Sequence, residues 1–229
     1  MRKILSIVIV LLIMSCSKET SNFTLKGHVK GLKKGTVYLE REQDSTYKII
    51  DSIVINGNPQ FELHCNLEEP EVLFLRLNKN DNNEGIITFF ADKGITEINS
   101  TLKNFNFDAK IKGSKQQELL EEYLTMISKF NDKNLDLIKA HFEPKKENDT
   151  TSGLDFESKY NSLLRRKYLY TINFAVTHNE SEVAPYLAIT QIANANPKFL
   201  DTIYNSLEAN LKTSRYGKQL KAFIDNQKQ

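Results

Sequence analysis

The chain has 229 residues, with 31 Lys and Arg against 29 Asp and Glu, two Cys, nine Tyr and no Trp. That length fills one large domain or two small ones with a substantial core. Its near-balanced charge excludes the polybasic face that nucleic acid or an acidic lipid surface selects. Two cysteines without a Cys-x-x-Cys pair exclude thioredoxin-like redox chemistry and a multi-cysteine metal site.

The first predicted element is the run Ile4 to Met14, which follows Arg2-Lys3 and contains only Ser6 as a residue that is not apolar. As a helix it rises about 16 Å, half the ~30 Å of a bilayer core, so it is too short for a stable span. A basic start, a short apolar stretch and the small Ser15 predict a cleaved secretory signal peptide over residues 1–15. Ile13-Met14-Ser15-Cys16 resembles the lipobox of bacterial lipoproteins. The resemblance implies that the Cys16 thiol takes a diacylglycerol, that the chain is cut just before it, and that the new amine is acylated too. The alternative is an uncleaved signal anchor with an incidental cysteine. Two or three acyl chains hold a protein firmly at a membrane where one chain binds only marginally. Residues 16–22 are then a lipidated tether; a flexible segment of that size spans about 13 Å. Loss of Arg2 and Lys3 brings the mature chain close to neutrality, and Cys65 is left as a possible free thiol with no intramolecular partner. Ser17 stands where an inner-membrane lipoprotein often carries Asp, so the resemblance favours the outer membrane, facing the periplasm.

Residues 23–112 read as short strands. Phe23-Leu25-Gly27 opens an alternating run, and Gly31-Leu-Lys-Lys-Gly35 turns it into Thr36 to Glu40. Further extended runs are Tyr47 to Ile55, Gln60 to Cys65, Glu71 to Leu77, Ile86 to Ala91, Ile95 to Ser100 and Phe105 to Ile111. Turn residues break the sequence between them, and Asn56-Gly57 is a hairpin signal because both residues tolerate positive φ. This pattern predicts an antiparallel β-sandwich or barrel-like domain.

Residues 113–229 read as an all-helical domain, which makes the whole chain α+β. Ser114-Lys-Gln-Gln117 forms a capping box, and Leu119, Leu120, Tyr123, Ile127 and Phe130 recur at helical spacing, with Leu137, Ile138 and Phe142 continuing the stripe. Glu143 to Gly153 reads as a polar loop. Helices follow over Asp155 to Thr177, from Ser181-Glu-Val-Ala-Pro185, from Asn196-Pro197 with Phe199, Ile203, Leu207 and Leu211, and after Ser214-Arg-Tyr-Gly217 with Leu220, Phe223 and Ile224.

"FTLKGHVKGLKKGTVYLE", "DSIVINGNPQFEL" and "GSKQQELLEEY" together resemble the domain of unknown function 4369. That domain is common in lipoproteins of Gram-negative bacteria, usually before a thioredoxin-like domain of the thiol-disulfide interchange type. "SEVAPYLAI" and "SRYGKQLKAFID" resemble the helical connector into that redox domain. The resemblance implies an accessory architecture. It brings no redox residues, because the Trp-Cys-x-x-Cys segment expected soon after Ile224-Asp225 does not occur before Gln229.

His28, His64, His141 and His178 fall on separate predicted elements without ligand-like spacing. His64 and Cys65 are strand neighbours and point to opposite faces. Asn80-x-Asn82-x-Glu84-Gly85 imitates the start of an EF-hand loop but has Ala91 where the bidentate Glu belongs, so it reads as a hairpin loop. Arg165-Arg-Lys167 reads as a solvated helix face, and Tyr160, Tyr168, Tyr170 and Tyr204 as core or cleft lining. No phosphate loop, nucleophile elbow or His-Glu-x-x-His motif occurs. The expected function is that of a membrane-anchored envelope lipoprotein acting as a non-catalytic binding or assembly module. It needs no cofactor and no metal, does not bind nucleic acid, and has a protein partner in the envelope. The alternatives are an accessory to a separate thioredoxin-like oxidoreductase and a hydrolase with an unrecognised site.

Overall fold

Alternation sets the first strand. In β1 (Phe23–Lys30), Phe23, Leu25 and Val29 are buried while Lys26 and Lys30 face solvent. The computed structural model describes residues 21–43, 46–78, 85–142 and 152–227. The expected signal peptide, Cys16 and most of the expected tether lie outside these residues, as does the greater part of the EF-hand-like loop and of the loop expected after Phe142.

Seven further strands follow: β2 (Lys34–Gln43), β3 (Thr46–Asn56), β4 (Gln60–Cys65), β5 (Glu71–Asn78), β6 (Gly85–Ala91), β7 (Gly94–Thr101) and β8 (Lys110–Lys112). They form two four-stranded sheets, ordered β4-β1-β7-β8 and β3-β2-β5-β6. The sandwich is therefore open, with no closed barrel. β1 and β7 are parallel, and every other pair is antiparallel. Between the sheets lie Phe23, Leu25, Val37, Leu39, Leu63, Leu73, Leu75, Leu77, Phe89 and Ile98. The Phe61 ring covers Gly27 on the neighbouring strand, where a Cβ would stand 2.1 Å from the ring, so only glycine fits there.

Two predicted details differ. Asn56-Gly57 does turn the chain, with Gly57 at φ +94, but it carries the chain from one sheet to the other instead of closing a hairpin within one. The run Phe105 to Ile111 is mostly a turn: Asp108 accepts from the Thr101 hydroxyl at 2.6 Å, the Ser100 hydroxyl donates to the Phe105 carbonyl, and Phe105 itself is buried against Gly85. These local bonds outcompete extension, and the strand shrinks to Lys110–Lys112.

The helices are α1 (Lys115–Phe142), α2 (Ser152–Thr177), α3 (Val183–Gln191), α4 (Pro197–Ser206), α5 (Ala209–Lys212) and α6 (Arg215–Gln227). The predicted capping box is half realised. The Ser114 hydroxyl accepts from Gln117 N at 3.0 Å, but the Gln117 side chain turns to the sheet, where its Oε1 accepts from Phe90 N at 2.8 Å. One amide thus caps the free edge of β6, an edge that would otherwise invite another strand. Pro197 sits in the first turn of α4, and Asn196 Oδ1 accepts from Lys198 N. The predicted stripe from Phe199 to Leu211 breaks at Leu207, which ends α4, although Ile203, Leu207 and Leu211 remain buried together. Among the described residues no helix is long and apolar enough to cross a membrane.

A second core of Ala175, Ala184, Ala188, Ile192, Leu200, Ile203, Leu220 and Ile224 holds α2 to α6 together. A third joins helices to sandwich: Val72 and Phe90 on the outer face of the second sheet meet Leu120, Tyr123, Phe174, Val183, Leu187 and Tyr216. This seam covers only one end of that sheet face. Beyond it Tyr47, Ile49 and Val54 are exposed.

Candidate functional site

Where the helical unit stops covering the second sheet, a cleft of about 460 Å³ opens between them. Its floor is cross-strand: Val72 stands opposite Phe90, and Phe74 opposite Thr88. Its wall comes from two helices, with Tyr186, Ile189 and Thr190 from α3 and Arg215, Tyr216 and Gln219 from α6. Phe90, Tyr186 and Tyr216 meet edge to face, with centroids 5.4 to 5.7 Å apart, the arrangement favoured by the ring quadrupoles. The Tyr216 hydroxyl accepts from Val72 N at 2.9 Å, so a helix side chain completes a backbone bond of the sheet. Burial holds the Tyr216 and Tyr186 phenols above their ordinary range, so both stay neutral.

A charged compartment adjoins the aromatic one, sharing Glu42 and Arg215 with it and adding Arg41, Asn66, Glu68, Glu69 and Glu71. Glu71 is buried and gripped by two guanidiniums. Arg41 Nε donates to it at 2.9 Å, and Arg215 Nη1 donates at 2.5 Å from the other unit. Arg215 also donates from Nη2 to the Glu42 carbonyl and from its backbone N to Glu69 Oε1 at 2.7 Å. One residue at the start of α6 therefore ties the end of β2 and the segment Glu69–Glu71 to the helices. On the outer face of the second sheet, Arg76 donates to buried Glu40 at 2.6 Å and lies 4.3 Å over the Tyr38 ring. A broader hollow of about 560 Å³ on the outer face of the first sheet is lined by Lys26, His28, Gln60, Glu62, Glu97 and Asn99. Its polar groups all come from the strands and turns of the sandwich, whereas the seam cleft is lined by both sheet and helices.

The residues singled out from sequence do not gather here. His28 and His64 belong to the outer face of the first sheet, His141 packs on Phe156 between α1 and α2, and His178 turns Nδ1 to the Phe174 carbonyl at 2.8 Å. Cys65 is buried between the sheets, and burial pushes its thiol up to about 11, which makes it a poor nucleophile. Arg165 and Arg166 are exposed on α2. Tyr170 packs against Tyr123 and Phe174, and Tyr204, on α4, packs half-buried against the helical core. Among the described residues no group of three or more His, Cys, Asp and Glu could hold a metal ion.

The sequence reading passed over Tyr186, Tyr216, Arg215, Arg41, Glu71 and Glu182. Ser214-Arg-Tyr-Gly217 was legible only as a helix start, because Arg215 and Glu71 lie 144 positions apart and nothing local links them.

Residues 23–120 match the family described as a domain of unknown function, DUF4369. The match takes in the whole sandwich and the first turn of α1, and it brings no activity with it. It includes the floor of the cleft, Arg41 and Glu71; the wall formed by α3 and α6 lies beyond it. No curated protein matches the chain.

Proposed function

We propose that this chain is a lipid-anchored, non-catalytic binding module of the bacterial cell envelope, and that the seam cleft is the surface it offers to an envelope partner. The observation that carries the reading is where the chain enters the sandwich. Asn22 is clamped to the loop after β4: its Nδ2 donates to the Leu67 carbonyl, its Oδ1 accepts from Leu67 N at 2.8 Å, and its backbone N donates to Asn66 Oδ1. The Asn66 carbonyl in turn accepts from Arg41 at 3.1 Å inside the charged compartment. With an acylated Cys16 as the first mature residue, a tether spanning about 13 Å keeps this end of the molecule, and the cleft, next to the membrane.

The residue types support binding over catalysis. The cleft combines aromatic side chains with a few polar ones, and it lies at the junction of two units, where ligand sites often form. Its phenols are held neutral and its Glu71 carboxylate is neutralised by two arginines, so neither is poised as a base. The buried, high-pKa thiol of Cys65 gives no support to a thiol-exchange role.

A photocrosslinking residue at Gln219, on the cleft wall, tests the site in intact envelopes. The expected result is a discrete adduct absent when the same residue replaces Lys159 on the distant face of α2; equal labelling from both positions overturns the assignment. The anchor is tested by mass spectrometry. The mature protein should begin at an acylated Cys16, and Cys16→Ala should lose its membrane fraction or remain uncut.

A further inference from the structure

The buried side chains of α1, Gln117, Leu120, Tyr123 and Ile127, all lie in its first half, and those of α2 begin only at Thr171. From Ser128 to Phe142 and from Asp155 to Tyr170 the two helices therefore run as an arm about 20 Å long in which no described side chain is fully buried. Within it they pack on each other, with ring centroids 6.0 Å apart for Phe130 and Tyr170 and 4.4 Å apart for His141 and Phe156. Their seam follows the alternating spacing of a coiled coil, as in Ile127, Phe130, Asn134 and Leu137 on α1 and Phe156, Tyr160, Leu163 and Lys167 on α2. Polar residues interrupt it, and Asn134 Oδ1 is buried there with no hydrogen bond among the described residues. Two helices joined along so narrow a stripe leave most of their surface uncovered, although helices draw most of their stability from packing. A third helix would complete the unit.

One flank of the arm is shaped to receive it. A trough of about 540 Å³ is lined by Lys133, Asp136 and Leu137 from α1 and by Ser158, Lys159, Ser162, Leu163 and Arg166 from α2. Ser158, Ser162 and Arg166 stand on successive turns, which gives the trough a length of about 12 Å, or two turns of an incoming helix. The serines are small enough to admit one. Leu137 and Leu163 are half-buried and offer it apolar contact, while the four charged groups are exposed. Three of those four are positive. Lys159 is paired with Asp155 at 2.6 Å, but Lys133 and Arg166 have no ion pair among the described residues. The arm carries seven Lys and Arg against four Asp and Glu, whereas the chain as a whole is close to neutral. Its trough is therefore complementary to an acidic helix and would repel a second copy of the same basic arm.

We propose that the hairpin of α1 and α2 is a docking arm whose trough takes an acidic amphipathic helix of a partner protein. The apolar stripe of that helix meets Leu137 and Leu163, and carboxylates on its flanks meet Lys133 and Arg166. The trough shares no residue with the seam cleft, so the inference stands apart from the reading of that cleft.

Fluorescence anisotropy of the full chain with two labelled peptides tests the arm. Both are helices of about three heptads with Leu along one stripe; one has Glu on both flanks, the other Lys in place of every Glu. The Glu peptide should bind about tenfold more tightly than the Lys peptide, and the gap should narrow in about 0.5 M salt. Lys133→Glu combined with Arg166→Glu should reverse the preference, and Ser162→Trp, at an exposed position, should remove binding by filling the trough. Equal binding of the two peptides, or a preference that the double variant leaves intact, overturns the proposal. So does either rival occupant: self-association of the natural chain that Ser162→Trp removes, or capture of phosphatidylglycerol vesicles that depends on Lys133 and Arg166 without binding of the Glu peptide. Should a variant fail to fold, the comparison of the two peptides on the natural protein still decides. Any adduct formed from Lys159 in intact envelopes belongs to this trough and should differ in mass from the one formed at Gln219, so the two surfaces succeed or fail separately.

Discussion

Between its two sheets the sandwich packs Phe23, Leu25, Leu63, Leu75 and Phe89, with Cys65 among them. A few ångströms away, the seam that joins sheet to helices is held by Tyr216 on Val72, Arg215 on Glu71 and Glu182 on Ser214. Apolar burial is non-directional and insensitive to pH, whereas buried polar bonds are costly when one partner is lost. The two regions should therefore respond differently to the same insult. The sandwich core depends on volume, and the seam depends on individual atoms and protons.

The largest effect expected from this contrast is at Tyr216, which supplies both a ring to the aromatic cluster and an acceptor to Val72. Tyr216→Ala should cost ~3–5 kcal/mol, the range for removing a buried aromatic side chain. Tyr216→Phe keeps the ring but orphans the Val72 amide, and should cost about 1–3 kcal/mol. The contrast sharpens if urea unfolding followed by helical circular dichroism shifts in both variants while exchange of β1 amides stays put. A single shared shift of both signals would show sheet and helices to be one cooperative body and would break it. Next in size is Arg215→Ala. Glu71 keeps Arg41, and Arg215 is itself about a third exposed, so the loss should be about 1–3 kcal/mol rather than the larger cost of an abandoned buried charge. It should shrink in Arg215→Lys, which retains the charge but not the reach to Glu42; a full loss there would show that the fork geometry, not the charge, holds the units together.

What the sequence made legible follows the same divide. The alternation of Phe23, Leu25 and Val29 and the helical spacing of Leu120, Tyr123 and Ile127 announce both layers, because those patterns are local. The start of α4 at Asn196-Pro197 was likewise written in adjacent residues. The seam was not, since each of its bonds joins residues far apart: 32 positions for Glu182 and Ser214, 144 for Val72 and Tyr216. Gln117 shows the failure most clearly. Its spacing from Ser114 reads as a capping partner, but a distant strand edge offers its amide a buried donor, and the long-range bond wins.

The smallest expected effect is a null one, and it is the most severe test of the contrast. Cys65 lies at the end of β4 nearest the seam, close enough that Arg41 and Glu71 act on its thiol, yet it faces into the sandwich and not toward the helices. In a protein with Cys16 replaced by serine, labelling of Cys65 by an aromatic disulfide reagent therefore reports opening of the sandwich. If the sandwich stands on its own apolar core, Tyr216→Ala and Arg215→Ala should change that labelling rate by no more than about twofold, because neither side chain packs in that core. The Phe61 side of the same core should behave in the opposite way: Gly27→Ala sets a Cβ into the ring that seals it, and labelling should then rise steeply while exchange in α6 barely moves. Acceleration of Cys65 labelling by the seam variants, in step with their loss of stability, would mean that the sandwich borrows its stability from the helices through Glu71.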